Sequence, residues 1–146
     1  MRFQVSGFKL IKMATIERFE DLEAWKIARD ITNEVYRISS REPFSRDFGL
    51  RNQICRAAVS VMSNIAEGFE RDGRKEFINF LSIAKGSSGE LRSQLYIALD
   101  QNYISEQEFS SVYDKTIQNC RLISGLMKYL NQSNVTGQKF KLVAKT

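Results

Sequence analysis

The chain has 146 residues, 42% of them hydrophobic, with one Pro, eight Gly and a formal net charge of +5. That size and composition fit one packed domain and favour a compact helical chain over a disordered or strand-and-turn-rich one. The absence of histidine excludes Ser-His-Asp and Cys-His nucleophile arrangements, mixed Cys/His zinc sites and the Glu-x-x-His pairs of di-iron bundles.

Residues 1–18 read as an N-terminal extension. Lys9 and Lys12 break its apolar character, so it lacks the continuous apolar run of a signal peptide, and Met13 is an alternative start. No stretch approaches the roughly 20 apolar residues of a membrane span, and a cytoplasmic location is expected. Residues 133–146 read as a basic C-terminal tail. Arg2–Ser6 and Lys139–Val143 alternate weakly, as short strands do. Disordered tails are favoured over pairing of these two segments with each other or with a neighbouring subunit.

Between the ends, residues 19–132 carry four helical stripes. The first helix is expected over Asp21–Ser39, with Leu22, Trp25, Ala28, Ile31, Val35 and Ile38 on one side. Arg41-Glu42-Pro43 ends it, because a residue before proline is pushed out of the helical region. The second is expected over Phe48–Phe69, with Leu50, Ile54, Ala57, Ala58, Val61 and Ile65 inward, and Glu70-Arg71-Asp72-Gly73 forms a polar turn. The third is expected over Arg74–Gln101, with Phe77, Phe80, Leu81, Ala84, Leu91, Leu95 and Leu99 inward. The fourth starts at a capping box of Ser105 and Glu108 and carries Phe109, Val112, Thr116, Cys120, Ile123, Met127 and Leu130 inward. Short connections force neighbouring helices to alternate in direction, so the expected fold is an all-α, antiparallel up-down-up-down four-helix bundle.

The charge is distributed unevenly. Arg2, Lys9, Lys12, Lys139, Lys141 and Lys145 supply the excess at the ends, whereas residues 16–133 hold sixteen bases against seventeen acids. Within the bundle, residues 37–75 are the basic part, with eight bases against five acids. Seven of the eight are Arg, the residue suited to phosphate forks and to stacking on bases. A solvated face is the plainer account of this charge; the nucleic-acid candidates are Arg46, Arg51, Arg56, Arg71, Arg74 and Lys75.

Several other features carry chemistry or its counterfeit. Glu17/Glu20, Glu20/Glu23 and Glu67/Glu70 are spaced three apart, as carboxylates sharing a helix face are, but such pairs are common on solvated surfaces and no metal site is assigned. Cys55 and Cys120 fit two buried free thiols better than a disulfide. Gly86-Ser87-Ser88-Gly89 has the spacing of a KH-domain loop yet lies inside a helical stripe. Close helix packing against the small-residue row Ala57, Ala58, Ser60, Ser63 and Ala66 is its expected role, since each mid-helix glycine costs about 1 kcal/mol. Trp25 is expected in the core. Glu67, near a helix C-terminus where an acid is unfavourable, needs a partner, with Arg71 and Arg56 the candidates. Asn64 belongs with it, either in a hydrogen-bond network locking the turn between helices two and three or in binding.

Gln53-Ile54-Cys55-Arg56-Ala57-Ala58-Val59-Ser60, followed by Ser63-Asn64-Ile65-Ala66-Glu67-Gly68-Phe69, resembles the signature of the four-helix bundle proteins of 23S ribosomal RNA intervening sequences. Phe77, Phe80-Leu81, Ala84, Gly86-Ser87 and Glu90-Leu91 continue the likeness, and Phe19-Glu20-Asp21-Leu22 with Trp25 fits the opening. Residues 19–130 are covered. Two positions depart from the family pattern: Met62 stands where proline is frequent, and Cys55-Arg56 stands where two bases are frequent. The resemblance implies a bacterial protein that assembles into rings, commonly pentamers. It also implies a relationship to the accessory protein of diversity-generating retroelements, whose basic barrel binds nucleic acid and a reverse transcriptase. Asn64, Glu67, Gly68 and Gly86 are the motif positions expected to be structural.

The functional expectation is a non-enzymatic, ring-forming homo-oligomer without cofactor that binds structured or ribosomal RNA through arginines of the second helix and its flanking loops. The competing expectation is a protein–protein adaptor, for example for a reverse transcriptase, with little nucleic-acid contact.

Overall fold

The structure, a computed structural model, describes residues 11–12, 16–132 and 144–145. Four helices dominate it: α1 (Glu23–Ser39), α2 (Phe48–Glu70), α3 (Arg74–Asp100) and α4 (Glu106–Gln132). Two-residue strands β1 (Ile11–Lys12) and β2 (Ala144–Lys145) pair antiparallel, Ile11 opposite Lys145 and Lys12 opposite Ala144. The segments 2–6 and 139–143, whose alternation raised the question of pairing, lie outside the described residues.

Each helix begins and ends for a local reason. Leu22 is extended (φ −76°, ψ 127°) and buried, and a 3-10 turn at Phe19–Asp21 precedes it. Helix α1 therefore starts two residues later than its apolar spacing predicts. Asp47 caps α2 by accepting from the Leu50 N–H at 3.1 Å. Helix α2 continues unbroken through Met62, which donates the backbone hydrogen bond that a proline could not. The end of α3 is a paired-carbonyl cap. Asn102 takes the left-handed conformation (φ 61°) and donates to Leu99 O at 2.9 Å, while Tyr103 N donates to Ala98 O at 2.9 Å. The capping box at α4 is present in both directions, Glu108 N to Ser105 Oγ at 3.1 Å and Ser105 N to Glu108 Oε1 at 3.0 Å.

The helix directions follow from registered contacts. Thr32 meets Ala58 and Ser39 meets Cys55, so α1 and α2 run oppositely. Ser60 with Ser87 and Gln53 with Gln94 set α2 against α3. Arg92 with Cys120 and Tyr96 with Phe109 set α3 against α4, while Ala24 with Asn119 and Glu34 with Lys115 close the ring of helices. The chain is an all-α, antiparallel four-helix bundle.

The core divides along the bundle axis. Val61, Ile65, Phe69, Phe77, Leu81, Ile123 and Leu130 fill one half, and Ile31, Val35, Ile38, Phe44, Ile54, Leu91, Leu95 and Val112 the other. Burying each large side chain contributes about 1.5–3 kcal/mol. Trp25, expected inside, is only half-buried: it stands edge-on to Phe19, with centroids 5.1 Å apart, and carries the Arg29 guanidinium over its ring. Cys55 and Cys120 are free thiols and likewise half-buried, because their helix phase places them at seams between helices.

Candidate nucleic-acid interface

The six bases singled out in the sequence do not gather on one surface of the protomer. Arg46 and Arg51 lie at the start of α2, Arg56 one to two turns further, and Arg71, Arg74 and Lys75 at the opposite end. Arg51 and Arg71 are separated by about 30 Å of helix at 1.5 Å per residue.

Their surroundings differ as well. Arg46 pairs with Glu42 at 3.2 Å in the α1–α2 connection. Arg71 donates to Glu67 at 2.8 Å, lies 3.9 Å from Glu76 and covers the Phe80 ring at 5.0 Å. Arg74 donates to the Leu130 carbonyl at 3.2 Å, neutralising an orphan acceptor in the last turn of α4. Arg51 is half-buried, and its Nε has no hydrogen-bond partner among the described residues. Arg56 and Lys75 are exposed, and neither has an ion-pair partner among the described residues. Exposed ion pairs contribute little, about 0–1 kcal/mol, so Arg46 and Arg71 remain exchangeable toward another anion.

The Asn64–Gly68 motif is resolved into three separate tasks. Glu67 takes Arg71 as its partner rather than Arg56. Asn64 donates to the Ser60 carbonyl at 2.8 Å and to Ser60 Oγ at 3.0 Å, and Ser60 Oγ meets Ser87 Oγ at 2.7 Å. That network ties the middle of α2 to α3, not the turn between them. Gly68 is the close-packing glycine: a Cβ there would lie 2.7 Å from Phe80 Cβ and 3.0 Å from Phe77 Cδ1. The packing role expected of Gly86 is corrected by the same geometry. Gly86 is exposed, and a Cβ there would meet nothing within 4 Å, because its phase on α3 turns it away from the small-residue row of α2.

A shallow polar groove of about 310 Å3 lies between α2 and α3, lined by Gln53, Arg56, Ala57, Ser60 and Glu90. Beside it stands Gln94, only 4% exposed, whose Nε2 donates to Glu90 Oε2 at 3.3 Å and to Gln53 Oε1 at 3.5 Å. Sequence reasoning missed this cluster. Its one legible signal is a glutamine at position 94, on the inward row with Leu91, Leu95 and Ala98, where an apolar residue fits better. Among the described residues no group of three or more Cys, Asp or Glu is arranged to hold a metal ion. No helix there is long and apolar enough to cross a membrane.

The bundle defined by these contacts is a helical protein whose distinguishing residues lie along α2 and the facing side of α3. The chain belongs to the family of 23S rRNA-intervening sequence proteins, whose sequence profile matches residues 20–125. Among solved structures it is similar to a protein of unknown function from the S23 ribosomal protein family of Bacteroides thetaiotaomicron. The TM-score is 0.66 at 22% identity, covering 72% of this chain and 98% of that one. That likeness establishes the fold. No curated protein matches the chain.

Proposed function

We propose that the protein is a non-enzymatic, cytoplasmic bundle that assembles into rings, five-membered in the form the resemblance implies, and binds structured RNA of the 23S type through α2 and its flanking loops. The observation carrying this reading is Arg56, an exposed guanidinium without an acidic ion-pair partner among the described residues, on the outward stripe Asn52, Arg56, Val59, Ser63. Lys75 is the second such cation among the six candidates. One protomer holds too few unpaired charges for tight binding, so the affinity comes from repeating them around the ring. The exposed apolar side chains Val59, Ile83, Tyr96 and Ile97, each between 39% and 51% accessible, supply the contact surface that assembly needs. Analytical ultracentrifugation paired with filter binding tests the reading. RNA affinity should fall with dissociation of the ring, and a dissociated variant binding as tightly as wild type refutes it.

A second reading, a protein–protein adaptor holding an enzyme such as a reverse transcriptase, is favoured by the same exposed side chains together with the exposed Gly86. Its mark is binding insensitive to salt and dependent on the partner protein.

A further inference from the structure

The groove between α2 and α3 holds two opposite charges that do not neutralise each other. Arg56 enters from α2 and Glu90 from α3, both line the cavity, and no ion pair joins them. Glu90 is held instead by Gln94, a buried amide that also grips Gln53 and whose own Oε1 has no hydrogen-bond partner among the described residues. Ala57 forms the apolar lining, 3% exposed, and Ser60 is fixed at its place by Asn64 and Ser87. Gln94 thus fixes Glu90 and Gln53 from below the groove, at the cost of leaving its own buried Oε1 unsatisfied.

The groups select the ligand's chemistry. A phosphate seated inside the groove would meet the Glu90 carboxylate as well as Arg56, and like charges repel. The groove itself therefore suits a base, while the exposed Arg56 charge still draws RNA toward the protomer. An apolar group would leave both charges unpaired. The complement is a flat group with two adjacent donors on one edge and two acceptors on the next. Guanine has that form: N1–H and N2–H donate to a carboxylate, while O6 and N7 accept from a guanidinium. Adenine presents an acceptor nitrogen, and uracil a single donor, where guanine presents two donors.

We propose that this groove binds one unstacked guanine of a single-stranded RNA segment, with Glu90 reading its Watson–Crick edge and Arg56 its Hoogsteen edge. Ala57 would pack on the face of the base. The proposal rests on the RNA-binding reading and adds to it a base preference. Single-stranded, splayed bases are the part of RNA that side chains read by sequence, and the groove is shallow enough to admit one.

The test uses the full chain and two probes. The first is a single-stranded RNA twelve-mer with one guanine, compared with the same strand carrying inosine or adenine there, at low and high salt by fluorescence anisotropy. Guanine should bind about tenfold tighter than adenine, with inosine between them, and Glu90→Gln or Arg56→Ala should erase the difference. Both substitutions fall on exposed positions, and unchanged thermal unfolding confirms the fold. Equal salt-sensitive binding of all three strands overturns the groove proposal and leaves RNA binding intact. The second probe is neutral guanosine, followed through the side-chain amide resonances of Gln53 and Gln94. If no strand binds at any salt, the single-stranded contact is absent whatever the 23S rRNA fragments do; saturable guanosine shifts then still support the groove, and their absence overturns it. If either substitution dissociates the oligomer without altering base preference, the groove is a contact between copies and the proposal is wrong.

Discussion

Arg41 reaches from the α1–α2 connection to Glu108 in the first turn of α4, its Nη1 and Nη2 lying 2.7 Å and 2.9 Å from the two carboxylate oxygens. The same carboxylate accepts the Ser105 N–H, so one side chain completes a helix cap and ties two connections together. The Arg41 guanidinium, with the Ser105 amide, holds the Glu108 carboxyl down to about 2.

A pH dependence follows from this pair. The folded Glu108 releases its proton far more readily than the unfolded one, so its contribution is complete above about pH 4.5 and fades as pH falls toward 2. The pair is partly open to water, and screening keeps its value to about 1–2 kcal/mol. Urea unfolding at pH 5.5 and pH 3 should show wild type losing more stability than Glu108→Gln over that interval. Equal losses would contradict the assignment.

Glycines 68 and 86 should respond oppositely to alanine. Gly68→Ala forces a methyl against Phe80 Cβ at the α2–α3 contact and should cost about 2 kcal/mol or more, as overpacking does. Gly86→Ala adds a methyl in open space and removes a flexible residue from a helix, and should stabilise the protomer by about 0.5–1 kcal/mol. Chemical denaturation of both variants, under conditions where the chain is monomeric, measures the two signs.

These two glycines also indicate what was legible in the sequence. Both sit in helices and look alike as letters, and the distinction depends on helix phase. Gly68 falls on the inward row of α2 with Val61 and Ile65, whereas Gly86 falls opposite the Leu81–Ala84 row of α3. The centres of the four stripes and the Ser105–Glu108 box were readable because spacing decides them, whereas Trp25, Phe80, Leu99, Phe109, Cys120 and Met127, expected inward, are only half-buried at the stripe edges. Asp47, Tyr103 and Arg41 were not, because their partners are between 56 and 67 residues away and meet only when two connections share one end of the bundle. The six bases were found as a charge excess, but composition carries no distances, and the helix spreads them along its length. The groove was missed because Gln53, Glu90 and Gln94 are ordinary helix residues until two helices align.

The cap after α3 carries its own prediction. Asn102 holds φ 61°, a conformation that asparagine and glycine tolerate better than β-carbon-bearing apolar residues. Asn102→Ala should lower stability by about 1 kcal/mol, and Asn102→Gly should be neutral or slightly stabilising. Thermal unfolding of the two variants side by side checks the order.

Tyr103 joins the two connections at that end, donating its hydroxyl to Asp47 Oδ2 at 2.9 Å and stacking on Phe44 with centroids 5.1 Å apart. Tyr103→Phe keeps the stack and removes the hydrogen bond, so the expected loss is about 1 kcal/mol. Asp47→Ala removes the α2 cap as well and should cost more. A double-mutant cycle on the pair separates the shared hydrogen bond from the cap.

The most direct test of RNA binding through α2 is a filter-binding titration of the full chain, its Arg56→Ala variant and a form lacking residues 1–12 and 134–146, against 23S rRNA fragments at two salt concentrations. The account predicts that the shortened form keeps salt-sensitive binding and that Arg56→Ala loses most of it, since the loss repeats in every protomer of the ring. Binding that disappears with the two ends while Arg56→Ala binds as wild type would contradict it, placing the RNA contacts in the basic ends and leaving the bundle as a scaffold.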